Sequence, residues 1–455
     1  MPSRSEWRWL LEKEFRELAA SRAFWLLLIV TGALVGHAIM SASQLYAEAS
    51  GIGGGPSALS QGLSPLEGIV VPTLGAYDLA ATLLFPFVVI RLVAVEKQSG
   101  ALALMLQAPT RFGASIVAKG IVLLVAWGVS LLAGGVALAT WMAIGGHLYA
   151  PETWTVVLGY LLRGVLAIGI GAAAGALAAS AASAAIIALT VTIGTWALDY
   201  VAAARGGTIA AVAQYTPTSA LASFEHGDLR VSTVLILTTI GLAGLGVAAA
   251  WLREGRHLPR RAAGVAAALI AAALACVLFA QLRADRDVTE DRRNSFSRAD
   301  EAALRRIDAP LTVTVYLAAE DPRLTDLDRG VLAKLRRTMK SVTVEYAAQS
   351  RSGLFEGSKS HYGEVWYDVG GKKEMNRSST EPIVLETAYR LAGVAPPTSV
   401  DESAYRGYPL AKRVTAAPWI FFVAWPMLVA LAWWRATSSK GRGRRGLATT
   451  ALGGG

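Results

Sequence analysis

S-I-V-A-K-G-I-V-L-L-V-A-W-G-V-S-L-L-A-G-G-V-A-L-A-T-W-M-A-I, residues Ser115–Ile144, decides the class of this chain. Its single charge, Lys119, lies near the start, and a helix crossing a bilayer core needs only about 20 such residues. Thirty residues make a helix of about 45 Å, long enough to tilt or to project beyond the bilayer. Seven more apolar runs accompany it: Phe24–Met40, Thr73–Val95, Trp154–Ala179, Ala182–Val201, Val231–Trp251, Ala262–Leu282 and Ala416–Trp434. Composition agrees, with 54% hydrophobic and 17% charged residues and a mean hydropathy of +0.44. Soluble domains carry about 45–50% and 25% respectively. The sequence predicts a mainly α-helical polytopic membrane protein of about eight transmembrane helices, with an inserted α/β extracytoplasmic domain.

Basic residues set the expected orientation. Arg4, Arg8, Lys13, Arg16 and Arg22 precede the first span, and Arg91, Lys97, Arg111 and Lys119 cluster around the second connection. Arg253, Arg256, Arg260 and Arg261 precede the seventh span, and Arg435, Lys440, Arg442, Arg444 and Arg445 follow the eighth. Residues 44–72 and 147–153 carry none. Both termini are therefore expected in the cytoplasm. The net charge of +10 reads as this bias, with no nucleic-acid partner. Cys276 stands alone, and His37, His147, His226, His257 and His361 show no ligand spacing, so neither a metal site nor a catalytic centre is expected.

Trp7, Leu10, Leu11, Phe15 and Leu18 recur at helical spacing, with Glu12, Lys13, Arg16 and Glu17 elsewhere. Residues 1–22 thus read as an amphipathic helix whose Trp7, Leu11 and Phe15 rest on the lipid membrane. Arg91–Arg111, R-L-V-A-V-E-K-Q-S-G-A-L-A-L-M-L-Q-A-P-T-R, carries Glu96, Lys97 and Gln98 and then an apolar run ended by Pro109. A charged start followed by an apolar face is the form of a docking element.

This order (amphipathic helix, two spans, Glu-Lys-x-x-Gly, Ala-Pro) resembles permeases of the ABC-2 family over about residues 1–255, with the six-span core at 23–255. The resemblance implies a cytoplasmic coupling helix at about 93–107, in which Glu96, Lys97, Gln98, Gly100, Leu102 and Met105 engage an ABC ATPase subunit. It also implies a second permease copy or a paralogue as partner. No G-x-x-x-x-G-K-[ST] occurs, so the chain is read as a permease subunit binding no cofactor itself, with ATP and Mg in the partner ATPase.

Asp78, Arg163 and Asp199 are ionisable residues in or near spans, where such groups are often functional, and they form a possible intramembrane polar site. Thr216 and Pro217 are placed to start a short helix before the sixth span.

Beyond the seventh span (262–282), residues 283–415 turn polar and charge-balanced. Ser297 with Asp300 reads as a helix start, Leu311–Ala318 alternates as a strand, Leu324–Met339 is helical, and Val342–Tyr346 returns to strand. Glu364–Val369 and Lys372–Asn376 read as a hairpin. D-V-T-E-D-R-R-N-S-F-S at 287–297 and A-P-L-T-V-T-V-Y-L at 309–317 resemble the auxiliary component of gliding-motility-type ABC transporters, over about residues 285–393. With no catalytic constellation in this stretch, the domain reads as a binding or assembly module, and an envelope partner is expected for it. An eighth span (416–435) and a disordered basic tail (436–455) complete the reading. The expected function is the membrane subunit of an exporter, and the alternative is an ATP-powered mechanical or scaffolding device that translocates nothing.

Overall fold

The computed structural model describes residues 4–51, 64–98, 112–205, 216–253, 257–282, 284–318, 321–347, 361–397, 405 and 407–451. Helices α1 (Arg4–Ala19), α2 (Arg22–Gly51), α3 (Val71–Gln98), α4 (Phe112–Ala143), α5 (Ala150–Leu177) and α6 (Ala181–Arg205) follow one another. Then come α7 (Pro217–Glu225), strand β1 (Asp228–Arg230), α8 (Val231–Trp251), α9 (Leu258–Ala280) and β2 (Asp285–Asp287). The chain continues through α10 (Arg298–Leu304), β3 (Leu311–Val315), α11 (Pro322–Leu327), α12 (Ala333–Thr338), β4 (Val342–Tyr346), β5 (Val365–Val369), β6 (Lys372–Asn376) and α13 (Glu381–Ala392). It closes with the short α14 (Ala417–Trp419) and the long α15 (Trp425–Ala451). Eight helical stretches of 21 to 33 residues are long and apolar enough to cross a membrane, so the protein is a helical, multi-pass membrane protein.

One compact unit comprises residues 1–193, 232–282 and 406–455. Small residues decide its packing, since backbones in lipid approach closely only where side chains allow. Gly32 and Gly36 make a notch on α2. A Cβ on Gly32 would stand 2.2 Å from the Trp425 ring, and one on Gly36 would stand 2.3 Å from Phe421. The Trp425 indole N–H donates to the Leu28 carbonyl at 2.7 Å, fixing the last span against the first. Gly169 of α5 meets Gly241 of α8 backbone to backbone, where a Cβ would find the Gly241 carbonyl at 2.2 Å. The Ala-rich stretch between α5 and α6 breaks for only three residues. Ser180 and Ser183 cap each other there, each hydroxyl accepting the other's backbone N–H at 3.1 Å.

Helix α15 runs on from the last span to Ala451.

The second unit comprises residues 194–231 and 283–405. Its four-stranded sheet has the order β4-β3-β5-β6, with β3 and β4 parallel and the other pairs antiparallel. Leu311, Val313 and Val315 face the same core as Val365, Tyr367 and Val369, with Leu304, Leu332 and Leu335 packed against them. Gly370 and Gly371, at φ +58° and +88°, supply the positive dihedrals that a two-residue hairpin turn demands. A second, small sheet pairs β1 with β2. Here D-V-T-E-D-R-R-N-S folds around Asp287, whose carboxylate accepts from the Thr289 hydroxyl (2.6 Å), the Ser295 hydroxyl (2.8 Å) and the Asn294 N–H (3.1 Å). Arg337 ties this sheet to the helix before β4 by pairing with Asp228 at 3.1 Å and Asp285 at 3.6 Å.

The α2 notch yields a direct expectation. Gly36→Leu drives a side chain into Phe421 and lowers stability in detergent by about 1–3 kcal/mol, read from thermal or SDS unfolding. Gly75→Ala, where nothing lies within 4 Å, stays neutral or gains stability.

Candidate functional site

Leu10, Glu14 and Leu18 stand four residues apart on α1, so they share one face, and all three are buried. Leu10 packs on Ala114 and Ala118 of α4, where small side chains let the helices meet. Glu14 follows one turn later and is fully buried. Its carboxylate accepts from Lys119 of α4 at 2.7 Å, and Lys119 also reaches Glu96 at the end of α3 at 2.9 Å. Lys13 closes the ring by donating to Glu96 and to Glu14 at 3.0 Å, and it pairs with Glu17 at 3.2 Å. Three helices are thus joined where α3 runs into residues 99–111.

Among the described residues, three carboxylates here face two ammonium groups. Burial would lower the Lys13 pKa, but its hydrogen bonds to Glu96 and the charge of Glu14 outweigh that and raise it. Glu17 titrates above its ordinary range, first because it is partly desolvated and then because Glu96 repels its charge. Oxygens of Glu14, Glu17 and Glu96 all lie within 4.8 Å, a spacing that could hold a cation. The two lysines already contact these carboxylates, so the charge that an ion would bring is supplied by the chain.

Glu96 therefore points into the bundle. Lys97 does so too, donating to the carbonyls of Ala176 at 2.8 Å and Ala178 at 2.9 Å, and so caps the C-terminus of α5. Gln98 is exposed. Gly100, Leu102 and Met105 lie outside the described residues. Trp7 and Leu11 pack partly against the Leu10 cluster, so the amphipathic helix is docked on protein along one face, with Phe15 half-exposed.

Asp78 and Arg163 come together. Arg163 Nε lies 3.3 Å from the Asp78 carboxylate, and Thr82 donates to the same oxygen at 3.2 Å. Beside them Tyr77, Phe85 and Trp127 interlock edge to face, and Gly164 leaves room for the Trp127 ring. Asp199 is engaged elsewhere, accepting from the hydroxyl of Thr216 at 2.5 Å. Thr216 in turn caps α7, accepting the Ser219 N–H. In the second unit His361 lies 2.8 Å from Glu364, which also accepts from Trp366 at 3.1 Å; these bonds hold the Glu364 carboxyl below its ordinary range.

Sequence reading overlooked Glu14 and gave Lys119 no part beyond its charge. A signal existed for each: an acid between two leucines of one helical stripe, and one lysine in thirty apolar residues. Comparison with protein families, curated proteins and solved structures returns no match.

Removing one partner of a buried pair strands the other, so Glu14→Gln and Lys119→Met each lose about 3–5 kcal/mol of unfolding stability. Glu17→Gln holds or gains. Because the folded state raises the Glu17 pKa, its contribution is present at low pH and is lost as pH rises through the raised value. The stability difference between wild type and Glu17→Gln should therefore move in favour of the variant between acid and neutral pH.

Proposed function

We propose that this chain is the membrane subunit of an ABC-2-type transporter, most simply an exporter, driven by an ATPase on a separate chain. The observation that carries the reading is the ring of Glu14, Lys119, Glu96 and Lys13, which anchors α1, α3 and α4 beside residues 99–111. A docking element transmits force only if its base is stiff, and a hydrogen-bonded ion network buried under helix ends is stiff. In this reading Glu96 and Lys97 brace the coupling segment from within, while Leu102 and Met105 meet the ATPase. The distribution of lysine and arginine supports a cytoplasmic placement of this network and of both termini, with residues 283–415 on the far side of a bacterial inner membrane. Two copies, or this chain and a paralogue, would pair around the path.

A second reading has its own support. Strand β1 runs directly into α8, four residues separate α9 from β2, and Arg337 fastens both strands to the helix before β4. Tilting of those two helices would be handed to the polar domain, which suits mechanical signalling or envelope scaffolding with no cargo.

Affinity capture from native membranes in mild detergent, with and without nucleotide, tests the first reading. A P-loop ATPase should be recovered with wild type. Met105→Asp should lose it with the fold intact, whereas Glu96→Gln should lose both the ATPase and thermal stability. Recovery of no ATPase under any nucleotide condition would overturn the proposal. Retained ATPase coupling without ATP-dependent flux, abolished by Arg337→Ala, would select the mechanical reading.

A further inference from the structure

Phe15, Trp25, Val129, Leu132, Leu428 and Val429 line a groove of about 380 Å³ among α1, α2, α4 and α15. Every lining side chain is apolar, and both indole N–H groups are spent, Trp25 on the Ala19 carbonyl at 2.9 Å and Trp425 on Leu28 at 2.7 Å. Nothing in the groove recognises a polar molecule, so its occupant there is hydrocarbon. Leu132 and Leu428 are 56% and 61% exposed, which leaves the groove open sideways to the bilayer.

Length decides between a lipid and a protein helix. On α15 the lining runs along one face from Trp425 to Ala436, about 16 Å at 1.5 Å per residue. That is about half of the ~30 Å hydrocarbon core, the depth of one leaflet. A spanning helix from another chain would need the full depth. Charge decides the headgroup. Arg22 opens α2 just before Phe24 and Trp25, and Arg435 precedes Ala436 on α15. Both are exposed, and neither has an ion pair among the described residues. Guanidinium groups carried next in sequence to the residues that line an apolar slot match a phosphate on a chain.

The geometry points to a lipid site: one acyl chain of an anionic phospholipid lies in the groove, its phosphate held by Arg22 and Arg435. The lipid fills the space between α1, held from behind by Glu14 and Lys119, and the last span. The site rests on the chain crossing a membrane and is independent of any ATPase.

The test uses the full chain in nanodiscs containing equal amounts of phosphatidylglycerol and phosphatidylcholine, either lipid carrying a photoreactive diazirine in its acyl chain. After illumination, adducts mapped by mass spectrometry should concentrate on residues 125–132 and 425–436. Phosphatidylglycerol should label roughly tenfold more than phosphatidylcholine. Leu428→Trp, at an exposed position where the fold tolerates bulk, should cut the groove adducts several-fold with helicity and elution unchanged. Arg22→Gln combined with Arg435→Gln should keep the adducts but bring the two lipids level. Even labelling over all exposed spans would overturn the site, and equal labelling by both lipids in wild type would overturn the phosphate assignment. A groove shielded from both lipids, with cross-links between copies, would give it to a second chain and overturn the proposal.

Discussion

Charges leave water only when each finds a partner, and the arrangement of the first unit turns on one place where that condition is met. Glu14 of α1 and Lys119 of α4 are both buried, and Glu96 and Lys13 complete their coordination. An apolar contact in the same position would tolerate sliding. Hydrogen-bonded ions fix a register, because a shift of one residue strands a charge. The amphipathic helix therefore has one docked position, and the ends of α3 and α4 are held to it.

This constraint changes how the charged start of the Arg91–Arg111 segment is understood. A motif of acid and base on a loop invites the reading of surface groups awaiting a partner. Here both side chains turn inward, Glu96 to the lysines and Lys97 to the open carbonyls at the end of α5. The same residues can matter to a coupling element by fixing where it starts, with the contact made by apolar residues further on.

Spans were legible because lipid imposes a length and a composition that few other structures share, and Ser115–Ile144 satisfies both without ambiguity. The strand at Leu311–Val315 was legible through its alternation, and the hairpin through Gly370-Gly371. What escaped depends on pairs distant in sequence. Nothing local ties Asp78 to Arg163, 85 positions on, or Glu14 to Lys119. The buried role of Glu14 was masked by its charged neighbours Glu12, Lys13 and Glu17.

The notch of Gly32 and Gly36 also has a consequence for how the molecule is made. Trp425 and the carbonyl that it bonds on α2 are 397 residues apart. At ~5–20 residues per second of synthesis, α2 waits about 20–80 s in the bilayer before its partner emerges. Until then Leu28 and the bare backbone of the two glycines face lipid, and the first span is a binding site for whatever helix or insertion factor is nearby. Assembly of the bundle is completed last where the chain began.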